Sequence, residues 1–473
     1  MVSMMAGASE ERVRMIPYLA SFLPAAQPLM TRPSYQRELM TSTTLPIAVS
    51  MVEGGVIGVL ATKAFDAPPV MFAAIQAAPM FANLTSVVWA VLARGRAKVP
   101  FITLLMVATL GCIAGIALLP VGAEGALALT LLVIAARCLL AGIVTLRSVV
   151  WRNNYPRQSR GQITGRLTVL VSLIMAVAPM VGYTFLDQNP ENFRLLYPSA
   201  AVLAIAGVFA FSRVRLRGER SLLAYENRED AYPQPKGETG AIYEYQKNGE
   251  RDDTFWSVLR NDPEFRTYMF WQFIAGMSMM SGEAAVIYAI AEMTAGRDNE
   301  YLLSVLLSTS IPLLLTVVTM PYWAGFLDSV HIARFRSRQG WFWTGAQVFN
   351  LLGAVMGSIT LIAVARVVIG MTRAGGTLAW NLGHNDFADR RLVSIYMGIH
   401  VTLTGVRGAT APFIGVLLYT GWGEIRLPAG LSLPGFAGMG GWYFAISLAL
   451  ACVAWAGFAR MAHRVGDRPA EKP

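Results

Sequence analysis

Twelve long apolar runs, parted by short polar breaks, organise this chain. They lie at 45–64, 70–93, 99–119, 124–150, 163–186 and 195–213, then at 266–293, 301–327, 339–356, 358–381, 395–420 and 441–462. A helix needs roughly 20 mostly apolar residues to cross the hydrocarbon of a bilayer, so each run predicts one membrane-spanning helix. Between the ninth and tenth runs only Gly357 and Ser358 intervene. The one long polar stretch, 214–265, contains no apolar segment able to fold a core and reads as a linker. The expected plan is an N-terminal segment 1–44 in the cytoplasm or at the membrane interface, a six-helix bundle 45–213, the linker 214–265, a second bundle 266–463, and a tail 464–473. The fold class is all-α integral membrane, twelve transmembrane helices arranged as two pseudo-symmetric six-helix bundles.

The two bundles repeat one another. Glu53 stands in the middle of one uncharged apolar stretch and Glu283 in another, 230 residues on. The same shift carries Pro33 onto Pro263, Tyr35 onto Phe265, Val56 onto Val286, Ile57 onto Ile287 and Ala61 onto Ala291. Arg137 and Trp151 match Arg366 and Trp380 at a shift of 229. Gly165, Pro179 and Gly182 match Gly398, Pro412 and Gly415 at 233. Parallel repeats of six helices imply a pseudo-two-fold axis along the membrane normal, with the binding site between the repeats.

Composition agrees with this pattern. Of 473 residues 55% are hydrophobic and 14% charged, with mean hydropathy +0.47. A soluble domain carries about 25% charged residues. The net charge of +10 would suggest a nucleic-acid ligand in a soluble protein, but here it is confined to alternate loops. Arg94, Arg96 and Lys98 follow the second helix. Arg152, Arg157, Arg160 and Arg166 follow the fourth, Arg334, Arg336 and Arg338 the eighth, and Arg390 and Arg391 the tenth. The opposite loops are nearly free of base, so both termini are expected in the cytoplasm of a bacterium, with the chain in its cytoplasmic membrane. Residues 1–10 lack the basic start and apolar core of a signal peptide. Cys112, Cys138 and Cys452 have neither metal-ligand nor disulfide spacing, and the four histidines are scattered. No metal, cofactor or nucleic acid is expected.

At this point the residues resemble the major facilitator superfamily, over about 32–463. Gly325-Phe326-Leu327-Asp328, followed by Arg334 and Arg336, resembles that family's cytoplasmic gating motif, in which an acid caps a helix and pairs with bases. The N-terminal counterpart departs from it, with Arg94 near the place of the acid. Arg366-Val367-Val368-Ile369-Gly370 is similar to its arginine–glycine motif. Ala178-Pro179-Met180-Val181-Gly182 and Ala411-Pro412-Phe413-Ile414-Gly415 look like shortened antiporter motifs. The resemblance implies that helices one, four, seven and ten ring a central cavity. The intramembrane charges fall on those four: Glu53, Arg137 with Arg147, Glu283, and Arg366 with Arg373.

A charge at a helix centre costs roughly 2.5–3.5 kcal/mol on insertion scales, so an unpaired one is usually functional. Glu53 and Glu283 are candidate proton carriers or solute ligands, against the alternative of static pairs with arginine. Arg137, Arg366 and Arg373 are candidate grips for a carboxylate or phosphate. Arg147 lies nearer the cytoplasmic end and is expected to snorkel. His400 and Arg407, seven apart on the eleventh helix, are candidates for proton relay.

No Walker-type loop is present, so energy is expected from an ion gradient. The expectation is a monomeric secondary transporter, not an enzyme, whose partners are a small-molecule solute, protons or another ion, and the bilayer. An excess of arginine favours an anionic or zwitterionic organic solute. The competing readings are proton-driven efflux of amphipathic cations and a transporter-like receptor that moves nothing. The polar patch 380–391, with His384, Asn385, Asp386 and Asp389, is the one place an enzyme site could lie.

Overall fold

The computed structural model describes residues 20–227, 255–384, 386–388, 393–426 and 432–466. The expectations for 1–19, most of the linker (228–254), Asn385, Asp389, Arg390, Arg391 and the tail beyond 466 lie outside the described residues. Among the described residues twelve helical spans are present. The first runs Arg32–Ser50, breaks, and continues as Gly54–Lys63; the second is Pro69–Leu84 followed by Ser86–Leu92, bent by 41°. The third to sixth are Lys98–Leu118, Ala123–Asn154, Arg157–Gln188 and Pro190–Ser212. In the other half, the seventh and eighth are Pro263–Thr294 and Glu300–Ser329. The ninth to twelfth are Ile332–Met356, Ile359–Leu382, Val393–Thr420 and Gly440–Val465.

Ten of these helices are long and apolar enough to cross a bilayer, eleven if the bent pair is one span. The remaining one, the ninth span Ile332–Met356, falls short because Gln339, Gln347 and Asn350 lower its hydropathy, yet all three are buried inside the protein. The close join of the ninth and tenth spans has a local cause. Gly357 takes φ +65°, the left-handed cap that glycine adopts without strain, and the Ser358 hydroxyl then caps the next helix at the Leu361 N–H, 3.4 Å.

Packing follows the repeat. The first span lies along the fifth and sixth, as the seventh does along the eleventh and twelfth. The second packs on the fourth and the third on the sixth, as the eighth packs on the tenth and the ninth on the twelfth. Between halves, the second meets the eleventh and the fifth meets the eighth. Each contact thus has its symmetry mate. Outward faces carry Leu104, Leu131, Val144, Leu195 and Val318, all well exposed, as a lipid-facing surface requires.

Three details depart from expectation. The first span begins at Arg32, not at 45. The fifth begins at Arg157, not at 163. Between the last two spans a small antiparallel hairpin pairs Ile425 with Leu433, so the chain is not wholly helical. The linker is helical at its two described ends, Glu219–Glu226 and Phe255–Asn261. The side of the molecule from which it leaves is called the linker side below, and the other the far side.

Candidate functional site

In the first half the site is built on a helix break. Regular structure stops at Ser50 and restarts at Gly54, and Glu53 is extended at φ −67°, ψ 138°. A break strips carbonyls such as Met51 O and Val52 O of their helical partners, which must then be found elsewhere, and further bonds brace the turn that follows. Arg137 Nη2 donates to Val52 O at 2.6 Å and to Glu53 Oε2 at 2.8 Å. Tyr197 donates to Met51 O at 3.1 Å, Tyr183 to Val56 O at 2.8 Å, and Gln76 to Gly54 O at 2.8 Å. The sequence reading missed the break; its only signal is the Gly54-Gly55 pair.

In the second half Glu283 sits on an unbroken helix and the irregularity lies next door. Residues Leu306–Ser310 of the eighth span form one π-helical turn. Such a turn widens the helix and frees carbonyls, and these are the ones Arg366 uses: Nε to Leu307 O at 2.8 Å and Nη2 to Ser308 O at 2.9 Å. The same guanidinium grips both oxygens of Glu283, at 2.7 Å and 2.7 Å. Arg366 is wholly buried, whereas Arg137 keeps 13% side-chain exposure; the two carboxylates keep 26% (Glu53) and 28% (Glu283).

Arg373 completes the set. It follows Arg366 by seven residues on the same helix face, about 10 Å nearer the linker side. It is exposed, makes no ion pair among the described residues, and lies within electrostatic reach of both Glu53 and Glu283. A group that feels carboxylates from both halves lies between them. The two Glu–Arg pairs cancel, so Arg373 leaves this space with one positive charge in excess.

Among the described residues, the hydrogen bonds between halves lie from mid-membrane to the far side. Ser308 Oγ donates to Gly55 O at 3.0 Å and Ser310 Oγ to Ala176 O at 2.7 Å. Further out, Asp187 accepts from the Tyr301 and Leu302 N–H groups at 2.7 and 3.1 Å, capping the start of the eighth span. Lys63, 5% exposed, pairs with Glu300 at 3.3 Å. Phe72 and Tyr288 close edge to face at 5.1 Å. The sequence reading did not single out Ser308, Ser310, Asp187, Lys63 or Glu300, because small hydroxyls inside a helix and charges at helix ends are ordinary there.

Other candidates fall elsewhere. His400 and Arg407 are buried inside the second bundle, where Arg407 donates to Gln272 O and, at 3.2 Å, to Thr404 Oγ1. Gln272 precedes Glu283 by eleven residues on one helix, about 16 Å along its axis, so these two do not join the central site. The expected gate is not assembled. Asp328 is exposed without a partner among the described residues, Gly325 is exposed beside it, and Arg336 donates to Gln339 at 2.7 Å. Arg334 is exposed on the ninth span, whose start is capped at Ile332 N by Asp386, 2.7 Å. Arg147 does not snorkel. It pairs with the fully buried Glu38, which also accepts from Trp151 Nε1 at 3.2 Å. Glu38 escaped notice because the first span starts 13 residues before its apolar run. His384, just past the tenth span, is held by burial below the usual histidine pKa.

Residues 39–338 match the family model described as Major Facilitator Superfamily. Among solved structures, a mutant of the nucleoside transporter NupG aligns with TM-score 0.60 at 11% identity, covering 90% of this chain and 98% of its own. A mutant of a peptide transporter, POT, in complex with sulfate gives 0.62 at 13%, covering 92% and 96%. The xylose transporter XylE from E. coli, in a partially occluded inward open conformation, gives 0.57 at 11%, covering 94% and 98%. No curated protein matches.

Proposed function

The chain belongs to the Major Facilitator Superfamily, and from that premise we propose that it moves a small organic anion or zwitterion across a bacterial cytoplasmic membrane by proton-coupled alternating access. The observation that carries the reading is Arg373: an exposed, unpaired guanidinium between two halves whose other central charges are already matched. A planar guanidinium suits a carboxylate or phosphate held by two parallel hydrogen bonds. The solute's anionic group binds there.

Basic loops put the linker side in the cytoplasm, together with both termini. With far-side contacts closed, this is the inward-facing state, the kind of conformation in which XylE was solved. Glu53 is the proton carrier. Its arginine makes one bond to it and one to a backbone carbonyl, so an incoming solute anion can draw Arg137 away. The freed carboxylate then sits in a low-dielectric space without its counter-ion and takes up a proton. Glu283, gripped at both oxygens by an arginine anchored on two carbonyls, holds the second half rigid. One chain contains the whole site and works as a monomer.

The test is transport in proteoliposomes with an imposed pH gradient, screening labelled carboxylates, phosphates and zwitterions beside a cationic dye. Gradient-driven movement of an anion, lost in Arg373→Gln, is expected. Movement of the dye alone, unaffected by Arg373→Gln, would overturn the reading.

A further inference from the structure

The linker-side cores of the two halves stand in register but are not chemically equivalent. In the first half, Glu38, Ser42, Arg147 and Trp151 form a closed set: the guanidinium bonds the carboxylate and Ser42, and the indole bonds the carboxylate. In the second half the shifts of 230 and 229 put Tyr268 where Glu38 stands and Trp380 where Trp151 stands. The carboxylate is gone, but positive charge remains. Arg407 is 2% exposed, and Arg336 lies close enough to act on it electrostatically. Neither guanidinium has a carboxylate at ion-pair distance among the described residues. Asp386 is a described acid on this side of the bundle. It acts on Tyr268, and one of its oxygens accepts from the Ile332 N–H.

Around these two arginines lie buried polar atoms without partners among the described residues: Arg407 Nε, both nitrogens of His400, and His384 Nδ1. His400 is fully buried, edge-on to Trp380 at 5.7 Å and to His384 at 6.4 Å. Gly276 faces the Arg407 guanidinium so closely that any side chain there would displace it. Native proteins leave few buried donors unmatched, and an unpaired buried charge is more costly than an unpaired dipole. Water would satisfy the donors but leave the charge uncompensated. The cluster is rich in donors and carries excess positive charge, and Arg407, His400 and His384 at its centre are each under 9% exposed, which favours a small anion over a bulky organic one.

We propose that one small inorganic anion of halide size is bound in the second bundle between Arg407, Arg336 and His400, supplying the negative charge that Glu38 supplies in the first. The ion is a fixed counter-charge and not the transported solute, so it is independent of the central site.

The test uses the purified full-length protein at constant ionic strength, in chloride, bromide or gluconate. Halide is expected to raise Tm by several degrees in a saturable way, with gluconate inert because of its size. Crystals grown in bromide should give an anomalous peak between Arg407 and His400. The halide response should vanish in Arg407→Gln and weaken in His400→Gln, which keeps the test open if the first variant fails to fold. It should persist in Arg373→Gln, separating this site from the central one. Equal Tm in halide and gluconate, or a full response in both second-bundle variants, would overturn the proposal.

Discussion

Glu53–Arg137 and Glu283–Arg366 occupy the same places in two copies of one six-helix unit, yet they are held differently. The first pair is a single contact at a broken helix, with both partners partly exposed. The second is a two-pronged contact, its arginine buried and anchored on a π turn. Repetition in sequence therefore does not mean repetition in mechanics. The half with the looser pair has room to change partners, and the half with the tighter one has lost it. Discontinuous helices are where transporters commonly bind their cargo, and only the first half places its carboxylate on one.

The most forceful way to break this comparison is to cut the tight pair. Arg366→Gln leaves a half-buried carboxylate without its main partner and is expected to cost about 3 kcal/mol, the low end for breaking a buried pair, read as a large drop in Tm and in folded yield. If Arg137→Gln destabilises as much, the two halves are equally rigid. Next, Glu53→Gln should fold normally but lose accumulation against a gradient by about tenfold or more, while solute exchange without a gradient survives. Undiminished accumulation would move proton coupling elsewhere. Arg373→Gln should weaken solute binding by about tenfold, one bidentate contact's worth, with Arg373→Lys intermediate. Equal binding in all three proteins would remove Arg373 from the site. Smallest is Lys63→Met, which removes one far-side ion pair. A loss of about 1 kcal/mol would shift the balance toward far-side opening about fivefold, measurable as faster labelling of a far-side cysteine. Unchanged labelling would show that Asp187 and the aromatic contacts close that side alone.

Much of this was legible in the chain. Span number follows from apolar length, and repeat register makes Glu53 equivalent to Glu283 and Arg137 to Arg366, while pairing of each glutamate with its arginine is one of two readings the residues leave open. What stayed hidden has physical reasons. Glu38 lies in a helical segment with no apolar periodicity, buried by polar contacts such as Thr41 Oγ1 to Gly207 O at 3.0 Å. The π turn is bonded by Arg366 through Leu307 O and Ser308 O, and nothing in Leu306–Ser310 announces it. Motif letters also misled. Gly325 and Asp328 have the expected spacing, but Asp386 and His331, not Asp328, cap the start of the ninth span.

One modest feature gives a practical handle. Glu226, at the end of the short helix after the sixth span, binds Lys98 Nζ at 2.6 Å and Gly95 N at 2.9 Å. The start of the linker is thereby moored to the turn between the second and third spans. A spin label on the exposed Ser221 would ride with the first bundle, and one on the exposed Arg338 with the second. The distance between those two labels is a ruler for the width of the channel mouth, readable while the protein turns over.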